Sequence, residues 1–104
     1  MYQGDDLRLL FSVVDSKGLD VDITDATSIK WQLSERPNSV AIISKELGSS
    51  ITINSVNQFY FDLAAVETEN LSGVYYHEAE IITDTGKKYT GLSGSFTIKP
   101  TQIK

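Results

Sequence analysis

GVYYHEAEIITDTGKKYTGLSGSFTI, residues Gly73–Ile98, is the stretch that decides the fold. A long alternating run is followed by a turn signal at Asp84-Thr85-Gly86 and then by a second alternating run. The simplest reading is a pair of long strands joined by a tight turn. In the first run Tyr75, His77, Ala79, Ile81 and Thr83 share a face, and Tyr76, Glu78, Glu80 and Ile82 share the other. The glutamates turn the even face to solvent and leave the odd face for the core. In the second run Tyr89, Gly91 and Leu92 are expected to approach the core, followed by Phe96 and Ile98. Gly91 and Gly94 signal a bulge or a close backbone approach.

Outward from this hairpin the chain reads as shorter strands. Ala64–Leu71 is the one segment of helical composition, about two turns long and marginal alone, so it is predicted to cross between sheets. Gly73 can end it with a positive φ. Gln58–Leu63 places Phe59, Phe61 and Leu63 on one face, and Ile51–Ile53 forms a short strand before a turn at Asn54–Asn57. Val40–Leu47 alternates less clearly, with Ile43 inside and Glu46 outside. Ser28–Arg36 is the clearest half-buried strand: Ile29, Trp31 and Leu33 alternate with Lys30, Gln32 and Ser34. Trp31, the only tryptophan, suits the middle of a sandwich core. Pro37 stops that strand. In Asp5–Asp15 the odd residues Leu7, Leu9, Phe11 and Val13 face inward. Asp15-Ser16-Lys17-Gly18 turns the chain, Leu19, Val21 and Ile23 share one side of a further short segment, and Thr24–Thr27 makes a corner.

Roughly seven to eight short strands, with turn signals about every ten residues, predict an all-β fold. The expected architecture is an immunoglobulin-like antiparallel β-sandwich with one short crossover helix. A single domain covers residues 1–100 and residues 101–104 form a tail.

Composition narrows the function classes. The chain has 104 residues and no Cys, so one core without disulfides or thiolate metal sites is expected. The net charge of −5 disfavours nucleic acid, whose phosphates need clustered Lys and Arg. An acidic N-terminus without an apolar run predicts no leader, and no stretch is long enough for a membrane helix.

The candidates for chemistry are few. His77 is the only histidine and by parity lies on the core face, which favours a packed ring with a hydrogen-bond partner over a metal ligand. Asp15, Asp20, Asp22 and Asp25 could offer oxygens to calcium, but they lack the EF-hand spacing and suit turn formation. Glu78 and Glu80 resemble a carboxylate pair for glycoside hydrolysis, yet their spacing on an outward strand face fits a solvated sheet surface. Gly91-Leu92-Ser93-Gly94 approaches a nucleophile elbow but sits in a strand. No phosphate loop or dinucleotide fingerprint is present. The residues converge on no catalytic site, so no enzyme activity and no cofactor is expected. Tyr2, Tyr60, Tyr75, Tyr76 and Tyr89 could form a sugar-stacking platform if several are exposed.

Four patterns occur in a telling order. Gln3-Gly4-Asp5-Asp6 leads into the Leu7–Val13 strand, and Asp15–Thr27 closes on Asp22-Ile23-Thr24-Asp25-Ala26-Thr27. Leu71-Ser72-Gly73-Val74-Tyr75 opens a strand ending at Thr83-Asp84-Thr85-Gly86, and Gly94–Pro100 closes the domain. This order resembles small immunoglobulin-like β-sandwich proteins of bacteriophage and prophage tails, such as the N-terminal domains of baseplate upper proteins. The resemblance implies a scaffold or attachment role in a virion assembled in the host bacterial cytoplasm. Its implied partners are other phage structural proteins or a second copy of the chain, without nucleic acid or membrane. Tyr76, Glu78 and Glu80 are the candidate interaction surface, beside a free sheet edge next to the hairpin. The alternative function is a carbohydrate-binding module for cell-wall or surface glycans.

Overall fold

A computed structural model describes residues 1–100; the predicted tail, residues 101–104, and the side chains of residues 91 and 92, expected near the core, lie outside the described residues. The elements run β1 (Leu7–Ser12), β2 (Ser28–Ser34), β3 (Ala41–Glu46), β4 (Thr52–Ser55), β5 (Gln58–Leu63), α1 (Ala65–Thr68), β6 (Gly73–Ile82) and β7 (Lys88–Ile98). They form a smaller sheet in the order β1-β5-β4 and a larger one in the order β3-β2-β6-β7, with antiparallel pairing throughout. The predicted all-β sandwich is therefore the observed fold.

The chain changes sheet after β1, β3 and β5. This is the immunoglobulin-like arrangement, in which the strands lettered B-E-D pack on C′-C-F-G. Among the described residues no strand lies beyond β1 in the smaller sheet. Residues at the N-terminus instead run parallel to the end of the last strand, with Tyr2 bridging Lys99.

The hairpin forms as the alternation predicts. Gly86, at φ 84°, closes the turn, with Gly86 N–H donating to Thr83 O at 3.0 Å and Thr83 N–H to Lys87 O at 2.8 Å. The pairing steps from Ala79↔Leu92 to Glu80↔Thr90, so the bulge read from Gly91 is present in the backbone. Gly73 has φ 119°, in a region closed to most L-residues.

Inward residues from both sheets make one core. Trp31, Phe59 and Phe61 are its largest fully buried side chains, joined by Val13, Ile23, Ile29, Leu33, Leu63, Ala79, Ile81 and Ile98. The Trp31 and Phe61 ring centroids are 4.6 Å apart, tying β2 to β5 across the sandwich. Near the start of β6, Tyr75 donates its hydroxyl to Ser72 O at 3.0 Å. This is the tyrosine corner of immunoglobulin-like domains. In antibody domains the second cysteine of the inter-sheet disulfide follows that tyrosine by about two positions; here His77 follows it, with the Phe11 ring of β1 6.4 Å away.

Three sequence expectations need correction. Ser34, set with Lys30 and Gln32 opposite the core face, is buried and donates its hydroxyl to Arg36 O at 2.9 Å. Leu19, Val21 and Ile23 do not share one side: Leu19 is 63% exposed while Val21 and Ile23 are buried, and the segment forms no strand. The Asp15 carboxylate accepts from Lys17 N–H at 2.8 Å and Leu19 N–H at 3.0 Å, so a side chain takes backbone donors that a ladder would use. Val21 and Ile23 do turn inward, held by Val21 N–H to Val13 O and Ile23 N–H to Val56 O. The predicted helix over 64–71 shrinks to the single turn Ala65–Thr68. Distant residues hold that turn. Ala65 N–H donates to Asp6 Oδ1, Gly4 N–H donates to the buried Thr68 Oγ1, and Lys45 of β3 grips Glu67 with both contacts at 2.8 Å.

Burial alone would raise the Glu67 carboxyl, but hydrogen bonds from Lys45 and the Ala64 N–H outweigh it and hold it below the usual range. The Lys45 side chain is only 11% exposed, so removing its partner leaves a desolvated charge. Glu67→Gln is expected to lower the unfolding free energy by about 1–3 kcal/mol in urea titrations. Tyr75→Phe removes only the corner bond and should cost about 0.5–1.5 kcal/mol; an unchanged midpoint would rule out a stabilising role for that bond.

Candidate functional site

Alternation on β2, β3 and β6 builds the outward face of the larger sheet. Along one row the register brings Glu46, Lys30 and Glu80 side by side, and along the next Ser44, Gln32 and Glu78. Lys88 of β7 reaches Glu80 at 3.3 Å. Tyr76 donates its hydroxyl to Glu78 Oε2 at 3.1 Å. Burial and the bond to Glu78 together push the Tyr76 phenol upward. Lys30, Gln32, Glu78 and Glu80 line an open depression of about 280 Å³.

The structure thus brings the predicted trio Tyr76, Glu78 and Glu80 to one surface. Glu78 is exposed, while Tyr76 and Glu80 are half-buried. Lys30 and Gln32 complete the surface, although the sequence reading did not include them. Their outward parity on β2 was visible, but their pairing with β6 was not.

The outer face of the smaller sheet carries an exposed cluster of paired side chains. Arg8 lies 4.3 Å over the Tyr60 ring and bonds both Asp62 oxygens, at 2.8 and 3.1 Å. The hydrogen bond from Arg8 holds the Asp62 carboxyl below its ordinary range.

Sheet edges are the other open surface, and they differ. β7 was the expected docking edge beside the hairpin. It carries a bulge, and its end is covered by Gln3 N–H bonding Lys99 O and Lys99 N–H bonding Met1 O, each at 2.8 Å. β3 and β4 also pair through register shifts. β1 alone among the edge strands pairs without a shift, from Leu7↔Leu63 to Ser12↔Gln58. Its outward Leu10 is 54% exposed.

The candidates for chemistry are tied into the fold. His77 accepts a hydrogen bond at Nδ1 from Trp31 Nε1 at 3.2 Å, and no carboxylate or hydroxyl bonds it among the described residues. Asp22 accepts from Thr24 Oγ1 at 2.6 Å and Thr24 N–H at 2.9 Å, bonds that lower its carboxyl in that order. Together with Asp15 it builds turns. Among the described residues no group of three or more His, Cys, Asp or Glu is placed to hold a metal ion. The tyrosines are dispersed: Tyr75 and Tyr89 pack against the core, Tyr60 and Tyr76 stand on different sheets, and Tyr2 lies near Lys99. Trp31 is fully buried and joins none of them at the surface. No helix among the described residues is long and apolar enough to cross a membrane.

No family model matches the chain, nor does any curated protein or solved structure.

Because Glu78 is exposed and the Glu80–Lys88 pair lies at the solvent boundary, replacing Glu78 and Glu80 together by Gln should move the unfolding free energy by no more than about 1 kcal/mol in urea titrations. A loss as large as that of a core truncation would mean that the surface is structural and unavailable to a partner.

Proposed function

We propose that the chain is a non-enzymatic structural component of a bacteriophage or prophage virion, a tail- or baseplate-associated module that works by protein–protein contact. The observation that carries this reading is how the polar groups are used. His77, Asp15, Asp22 and Glu67 are bound into turns, core and crossover, while a polar sheet face and an unshifted edge at β1 are left open.

The resemblance in Gln3–Asp6, Asp15–Thr27, Leu71–Tyr75 and Gly94–Pro100 supplies the virion context. Leu71–Tyr75 also has a physical role, since it carries the tyrosine corner. Exposed apolar side chains fit contact by burial. Val40, Val66 and Val74 are 89%, 68% and 68% exposed, and they lie on the β2–β3 connection, the crossover turn and the start of β6, all at one end of the sandwich. A partner strand added at β1 would gain main-chain bonds along a regular edge. The partner is another virion protein or a second copy of this chain. The protein then resides in the virion after assembly in the host cytoplasm.

The test is direct. Particles induced from the strain that carries the gene are purified on a density gradient and analysed by mass spectrometry. The chain should co-purify at a fixed ratio to known tail proteins, and Leu10→Lys, which charges the β1 surface, should reduce that ratio. Intact particles without the chain would overturn the reading.

A further inference from the structure

His77 lies where three strands bring aromatic rings together. Its ring centroid is 6.4 Å from Phe11 of β1, 6.1 Å from Trp31 of β2 and 5.1 Å from Phe96 of β7. Trp31 Nε1–H donates to Nδ1. An indole N–H can only donate, so Nδ1 is the unprotonated nitrogen and the proton of the neutral ring sits on Nε2. No buried side-chain nitrogen among the described residues lacks a partner, so Nε2, which makes no bond there, opens to solvent.

We propose that the Trp31–His77 bond is an acid-released latch. A proton taken from solvent onto Nδ1 turns its only acceptor site into a donor facing the indole donor, which breaks the bond and loosens the packing of β6 on β1 and β2. The one bond formed is Nδ1–H, its proton given up by hydronium, and no bond between heavy atoms changes. The surroundings offer the cation no opposite charge. Phe11, Trp31, Leu33, Gly94 and Phe96 face His77 from β1, β2 and β7, and none is charged. Tyr75, on the same face of β6, spends its hydroxyl on Ser72 O. Aromatic faces attract cations, but Trp31 presents its N–H edge, which is the positive rim of the ring.

Burial depresses the His77 pKa below its ordinary value. The unfolded chain therefore takes up this proton first. The stability from neutral His77 is complete above about pH 6.5 and declines as pH falls toward the lower folded value. Within that window the folding equilibrium constant should drop by up to about tenfold per pH unit. The lowered carboxyls of Glu67, Asp62 and Asp22 lose their contribution only in a separate window, below about pH 4.5.

The experiment is urea unfolding between about pH 8 and 5, the range that brackets an ordinary histidine, read by the fluorescence of Trp31, the only tryptophan. The wild-type midpoint should fall across this range. His77→Gln keeps an acceptor for the indole but cannot titrate, so its midpoint should stay flat. Proton NMR of the wild type covers the case in which that variant does not fold. The single histidine gives one Cε1–H resonance, which should titrate below the ordinary value while the Trp31 indole N–H signal shifts with it. A flat wild-type midpoint, a parallel fall in His77→Gln, or an ordinary titration with the indole signal unmoved would each overturn the latch.

Discussion

The fold depends on aromatic packing between two sheets that no disulfide joins. Antibody domains place a disulfide against the buried Trp. This chain has no Cys, and Phe11 and His77 stand in that region instead, 6.4 Å apart. A disulfide typically contributes about 2–4 kcal/mol. Fully burying a large aromatic removes about 150–250 Å² from water, or about 4–6 kcal/mol as an upper bound. Trp31, Phe59 and Phe61 are all fully buried, so the rings suffice without a bridge. They must also fit: shape now does what a fixed S–S bond does elsewhere. The bond from Trp31 to His77 orients the largest ring, which is why one protonation at that point matters.

The same economy of residues bears on function. Groups with reactive or ligating side chains hold the chain together. Asp15 and Asp22 shape the β1–β2 connection, while Asp6, Thr68, Lys45 and Glu67 hold a crossover helix too short to be stable alone. The surfaces left open are broad, and on the outer face of the larger sheet their charges are paired in rows. Cross-strand pairs of this kind contribute register more than affinity.

Much of this was legible in the alternation. It placed Trp31, Phe59, Phe61 and Ile81 inside and Glu78 outside because those strands have one dry face and one wet face. It failed where a side chain competes with the ladder, as Asp15 does for the Leu19 N–H. It also failed where burial comes from a distant segment, as at Thr68, whose partner Gly4 is 64 positions away. Lys30 and Gln32 were read as outward, yet joining them to Glu78 and Glu80 required knowing that β2 lies beside β6. The tyrosine corner was in view only as punctuation, since Tyr75 points its hydroxyl back to a carbonyl that alternation does not describe.

Edge strands bring the physical argument to the function. An exposed edge invites pairing, and proteins blunt it with bulges, charge or shortness. β4 is short and bulged, β3 is bulged and followed by a tight turn, and β7 is bulged with its end capped by the N-terminus. β1 is regular over its whole length. Beyond it, residues near Val14 are covered by the chain itself through the Val14–Asp20 bridge, so the bare edge is confined to Leu7–Ser12. In immunoglobulin-like domains the first strand occupies this place, and here the N-terminal residues lie along β7 instead. Regularity at β1, with its three counterparts bulged, is the feature on which the proposed strand addition relies.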